Sequence, residues 1–136
     1  MDKIAVMLPY PPSVNKYWLN AKGGKHKYIQ KDGRIFREKV REICSQTKPI
    51  VGQIQLTVLL AMPDNRIRDL DNILKALLDG IVKSGIIADD DSRIVPEIIV
   101  KRVGKIKGGK VIVIFNKVKV EVNKTLTIED LMNLKE

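Results

Sequence analysis

Residues 54–85 read IQLTVLLAMPDNRIRDLDNILKALLDGIVKSG, and two periods meet inside them. Ile54, Leu56, Val58, Leu60 and Met62 alternate with Gln55, Thr57, Leu59 and Ala61, the two-residue repeat of a strand buried on at least one side. Leu70, Ile73, Leu74, Leu77, Leu78 and Ile81 then recur at helical spacing as one continuous apolar stripe. Lys83 and Gly85 stand where a helix closes, a cation beside the last carbonyls and a residue free to turn left-handed. A strand feeding a helix in this way asks for a sheet with helices laid on it.

The flanks supply the other pieces. Residues 4–8 form a short apolar strand halted by Pro9, Pro11 and Pro12, which cannot continue a ladder. Residues 13–33 contain Asn15, Asn20, Gly23, Gly24 and Gly33 without a sustained period, and read as a long basic loop. From Arg34 a helix begins, with Phe36, Val40, Ile43 and Cys44 on one face, and Pro49 and Gly52 end it. Residues 94–103 read as a strand, with Pro96 placing its start at a sheet edge. Residues 105–109, KIKGG, read as a turn, and 111–115 as the returning partner of a β-hairpin. Val118, Val120 and Val122 extend the alternation, and Thr127 with Asp130 has the spacing of a cap before Ile128, Leu131 and Met132. The order β-α-β-α-β-β predicts an α/β fold of two helices packed on a small mixed β-sheet. Its domain spans residues 1–115, and 116–136 form a C-terminal extension with no assigned role.

A chain of 136 residues with 44% hydrophobic content has room for one domain with a real core. It carries 25 Lys+Arg against 16 Asp+Glu, net +9. Residues 16–34 hold Lys16, Lys22, Lys25, Lys27, Lys31 and Arg34 against one acid, and residues 101–119 hold seven cations, Lys101, Lys107 and Lys110 among them, with none. Basic segments of this kind suit a phosphate backbone as partner. No apolar run is long enough for a membrane span, and the N-terminal apolar stretch is too short for a signal peptide. The lone Cys44 forms no disulfide framework, which suits a reducing cytoplasm.

Against that charge, seven of the ten aspartates lie between Asp64 and Asp91, in a stretch without glutamate. Asp71 falls where the apolar stripe meets solvent, with Lys75 one turn on; Asp69 precedes the helix, and Asp89, Asp90 and Asp91 precede the next strand. Three carboxylates converging on a hard cation would make a magnesium site, able to activate water and neutralise a phosphoryl transition state. Lys75 could donate to the scissile phosphate or the leaving oxygen. The same residues also suit plainer roles: Asp69 as an N-cap, Asp71 as a first-turn acid, Asp71 with Lys75 as an ordinary ion pair, and DDDS as a polar turn.

Two stretches go further than spacing. LPYPPSVNKYW at 8–18 and RDLDNILKALLDGIVKSGIIADDDSRIV at 68–95 closely resemble the RusA family of Holliday-junction resolvases. The resemblance runs from about residue 4 to 115. It implies a cytoplasmic, homodimeric endodeoxyribonuclease, often carried by prophages, that uses Mg2+ or Mn2+ and introduces paired nicks into a four-way DNA junction. Carried over by residue, Asp69 and Asp71 match the family's acidic pair, Lys75 its catalytic lysine, Asn72 the following asparagine and Arg68 the preceding basic residue. Of the family's double asparagine only Asn15 carries over, since Val14 replaces the first. For the third acid, counting back from the strand selects Asp91 and counting forward from Gly85 selects Asp90; the strand register is preferred. A non-catalytic binder of branched DNA, or a nuclease for flaps or forks, are the alternative readings.

Overall fold

The structure, a computed structural model, describes residues 3–20 and 27–134. Its main sheet has four strands in the order β1-β6-β4-β5, with β1 at Lys3–Pro9, β4 at Ile54–Met62, β5 at Glu97–Lys105 and β6 at Lys110–Lys117. β4 runs parallel to β5 and antiparallel to β6, and β1 is antiparallel to β6, so the sheet is mixed. The long helices, α2 (Lys31–Cys44) and α3 (Leu70–Ser84), pack on each other and on one face of this sheet. Ile54, Leu56, Val58, Leu60 and Met62, the alternating set, are all buried there against Phe36, Val40, Ile73, Leu77 and Ile81. The fold is the expected α/β arrangement of two helices on a small mixed sheet.

α3 starts and stops where the sequence places it. Asp69 occupies the N-cap position in extended conformation, and Gly85 closes the helix at φ 83°, where a side chain would be strained. Gly80 lets α2 approach α3 closely, because a Cβ there would stand 2.9 Å from the Phe36 ring.

The expected hairpin of β5 and β6 is not formed. β4 lies between them, and the turn joining them passes over the end of β4, where the Ile106 N–H donates to the Met62 carbonyl at 2.9 Å. The physical reason lies in β4: one of its faces is fully buried and the other partly covered, which suits a central strand with neighbours on both sides, whereas β5, carrying Lys101, Arg102 and Lys105, is exposed as an edge strand.

The basic stretch before α2 is also more structured than a loop. It contains α1 (Val14–Tyr17), β2 (Trp18–Asn20) and β3 (Lys27–Ile29), with β2 and β3 pairing as a small second sheet, and α2 starts at Lys31 instead of Arg34. The earlier start puts Gly33 in the first turn, where a Cβ would lie 2.7 Å from the Tyr17 carbonyl oxygen. Beyond β6, the N–H groups of Val118 and Val120 donate to the backbone and side-chain oxygens of Gln53. Thr127 and Asp130 form a reciprocal capping box for α4 (Ile128–Met132), whose side chains are exposed. No helix among the described residues is long and apolar enough to cross a membrane.

Candidate active site

The N-terminus of α3 is where the two sequence motifs meet. Pro11, Pro12 and Ser13 face Arg68, Asp69 and Asn72 across a cavity of about 390 Å³. Arg68 is held in place by a forked pair of bonds to Asp64, at 2.6 and 3.0 Å, and lies 5.9 Å over the Tyr10 ring. The guanidinium, with the Arg66 N–H, holds the Asp64 carboxyl well below the usual carboxylate range. Tyr10 in turn covers Gly109 of the β5–β6 turn, so this basic turn is docked against the α3 N-terminus.

A second, open groove of about 540 Å³ runs along α3 and is lined by Trp18, Asp71, Lys75, Asp79, Asp89 and Asp90. Asp71 and Lys75 share it because residues four apart lie on one helix face. Neither they nor Asp69 enter an ion pair or a side-chain hydrogen bond among the described residues, and Asp69 at the N-cap position accepts no capping bond. The cap bond and the i,i+4 ion pair are therefore not made, and Asp71 stands as an acid in the first turn of α3. Asp90 faces the groove with its carboxyl pushed up by burial and by the neighbouring carboxylates of Asp89 and Asp79. Asp91 points elsewhere: its carboxylate accepts from the Arg93 N–H at 2.9 Å and from the Arg93 guanidinium at 2.9 and 3.2 Å, which lowers its pKa to about 2.

The expectation that Asp69, Asp71 and Asp91 share one cation is not met within a single chain. Among the described residues no three carboxylate, imidazole or thiol groups are gathered closely enough to hold a metal ion. The spacing follows from the helix: Asp69 and Asp71 sit at the N-terminal end of α3, while Asp89, Asp90 and Asp91 follow its C-terminal end, roughly 20 Å of helix away at about 1.5 Å per residue. Asp71, Asp89 and Asp90 nonetheless line one groove, and Asp69 lines the neighbouring cavity.

Of the cations expected to meet DNA, Lys16, Lys31, Lys101, Lys107 and Lys110 are exposed, as are Asn15 and Asn72, and Arg68 is half-buried. Lys22 and Lys25 lie outside the described residues, as does His26, and Lys27 is placed only by its backbone in β3.

Composition and spacing did not mark the support beneath the groove. Tyr17 is fully buried, and its hydroxyl donates to Asp79 and accepts from Arg37 Nε at 2.9 Å, while Arg37 bonds Asp79 at 2.8 Å. Burial, with the Asp79 carboxylate second, raises the Tyr17 pKa, so this phenol is a buried tie and no nucleophile. The one available signal was Asp79 at i+4 from Lys75, on the flank of the apolar stripe.

Comparison with known proteins settles the ancestry of this arrangement. The family model described as "Endodeoxyribonuclease RusA" matches residues 9–115. The chain belongs to the RusA family. It is 38% identical over 113 residues to the crossover junction endodeoxyribonuclease RusA of Enterobacteria phage HK97, covering 81% of this chain and 91% of that one. The proteins of the same name from Shigella sonnei and Escherichia coli K12 are 34% and 33% identical over 93 residues, covering 66% of this chain and 76% of theirs. The RusA match contains both cavities, every acid of the candidate site and the basic β5–β6 turn, and it ends at the last buried residue of β6, Phe115.

Proposed function

We propose that this chain is a structure-selective endodeoxyribonuclease that resolves four-way DNA junctions by paired phosphodiester hydrolysis, acting as a homodimer. The observation that carries this reading is the pair Asp71 and Lys75, held one turn apart on α3, unspent on any other side chain among the described residues and facing a groove shared with Asp90, in a member of the RusA family. Lys75 supplies a fixed positive charge for the developing charge on the scissile phosphate, and the exposed lysines of β5 and its turn draw the DNA arms in. A symmetric dimer would present two such grooves, one for each of the two cuts.

Dependence on Mg2+ or Mn2+ is part of the proposal. Its support is the donor chemistry, since carboxylate oxygens suit hard cations, and Mg2+ takes one or two carboxylates together with substrate phosphates. Asp69 and Asp71, both at the α3 N-terminus, are the candidate holders within one chain; of the later acids Asp90 faces the groove, whereas Asp91 is committed to Arg93. The ion would activate water and offset phosphate charge.

The test is cleavage of a synthetic four-way junction with magnesium, beside linear duplex and a flap substrate, for wild type and Asp71→Asn. Paired nicks confined to the junction, lost in the variant while binding persists, are expected. Tight binding without cleavage under any divalent metal would leave a binder of branched DNA, and preferential flap cleavage would reassign the substrate.

A further inference from the structure

We propose that Trp18 contacts the DNA directly, as the surface on which a base unstacked at the branch point rests beside the acidic groove. This rests on the branched-DNA reading above and adds the group that would distinguish a branch from a duplex.

Trp18 opens β2 directly after α1, and its backbone is closely held. Its carbonyl accepts from Gln30 Nε2 at 2.8 Å, and the Gln30 N–H donates to the Tyr17 carbonyl at 2.8 Å. Gly33 presses on that Tyr17 carbonyl with no room for a side chain. The indole lies against Tyr17, with ring centroids 4.2 Å apart and planes tilted by 58°. Tyr17 in turn is tied to Arg37 of α2 and Asp79 of α3. Three helices thus fix the position of one aromatic ring. Trp18 packs at the margin of the core and, unlike the fully buried Tyr17, is only half-buried, so that it also forms a wall of the groove.

The rest of that groove has the makings of a nucleotide subsite. Leu74, Leu78 and Val82 offer an apolar strip on α3, with Lys75 and Lys83 beside it. A base has apolar faces and an attached phosphate, and aromatic–base stacking is tolerant of sequence because every base has such a face. In linear duplex those faces are already stacked, whereas at a branch point less energy is needed to expose them. Lysines alone read phosphates and so bind all DNA alike. An aromatic wall next to Asp71 would therefore give selectivity for branched structure at the place of cleavage.

The experiment compares wild type, Trp18→Phe and Trp18→Leu, without divalent metal, on a four-way junction carrying 2-aminopurine beside the branch point and on linear duplex. Leucine keeps apolar bulk and removes the aromatic face. The expected result is a loss of junction affinity of about ten- to a hundred-fold in Trp18→Leu, with duplex affinity falling less than about threefold and most of the junction affinity kept in Trp18→Phe. The 2-aminopurine signal should be quenched by wild type and Trp18→Phe and brighter with Trp18→Leu. Thermal unfolding of all three, run in the same buffer, corrects each affinity for the folded fraction. Trp18→Leu binding the junction within twofold of wild type, or losing junction and duplex equally, overturns the proposal. If wild type itself binds both DNAs alike, the branched-DNA reading fails and this inference fails with it. If wild type prefers the junction and Trp18→Leu keeps that preference, only the role of Trp18 is lost.

Discussion

Replacing Asp79 by alanine tests the frame beneath the groove. The carboxylate accepts from the Tyr17 hydroxyl and from Arg37, and its side chain and that of Arg37 retain 22% and 28% of their exposure. Without it the Tyr17 hydroxyl, in a residue with no exposure at all, loses its acceptor, at a cost of about 1–3 kcal/mol. Arg37 can turn part of its guanidinium to water, so the ion pair adds less than about 1 kcal/mol. The total is about 2–3 kcal/mol. For a chain of this length the unfolding entropy converts that into a Tm lower by about 7–10 °C. The assay is thermal unfolding by circular dichroism of wild type, Asp79→Ala, Tyr17→Phe and the double variant. Because the hydroxyl and the carboxylate serve each other, the double variant should fall short of the summed single losses by about 1 kcal/mol. A Tm for Asp79→Ala within about 2 °C of wild type, or strict additivity of the two changes, would refute the network.

Other outcomes follow from single contacts. Gly109→Ala should destabilise by about 2–3 kcal/mol, because φ is 69° and a Cβ would stand 2.8 Å from the Tyr10 ring; Gly108→Ala, at φ 79° with open space, should lose only about 1 kcal/mol in the same urea titration. Gly80→Val should cost about 3 kcal/mol by overpacking the Phe36 ring, read as a lowered midpoint with unchanged slope. Asp91 is held at about pH 2 by Arg93, a depressed value, so its stabilisation is full above the unfolded carboxyl pKa of about 3.9 and fades as pH falls through 2. Wild type should therefore exceed Asp91→Asn in stability at pH 6, with the gap closing between pH 4 and 2; a gap constant across that window would contradict the assignment.

The long elements were legible because burial imposes a period. β4 shows every second residue buried, and α3 has its stripe, its N-terminal aspartate and its closing glycine, all visible as letters. Strand partners were not visible, since the apolar residues at 94–103 and 111–115 mark strands and say nothing about which ladder they join. α1, β2 and β3 are three or four residues each, too short for any period to show. The same limit governs the site. Asp71 and Lys75 could be paired by counting along a helix, but the third acid hangs on the path of the turn after α3, where Asp91 is spent on its own Arg93 and Asp90 is left to the groove. Tyr17, Arg37 and Asp79 come from three separate helices, and only the packed fold brings them together.

The strand order has a consequence for how the chain is made. Among the described residues β1 pairs only with β6, so Lys3–Pro9 must wait for Lys110–Lys117, and β4 has one open side until the same strand arrives. Pairings that span nearly the whole sequence close late and fold slowly. A chain still emerging from the ribosome, or one cut short before Lys110, would expose two unpaired strand edges and be drawn toward aggregation. The α3 groove would then lie on half a sheet. A chain made this way holds its acids on a finished scaffold only after Lys110–Lys117 has been synthesised, so copies cut short before it should be lost to aggregation or proteolysis before they can act on DNA.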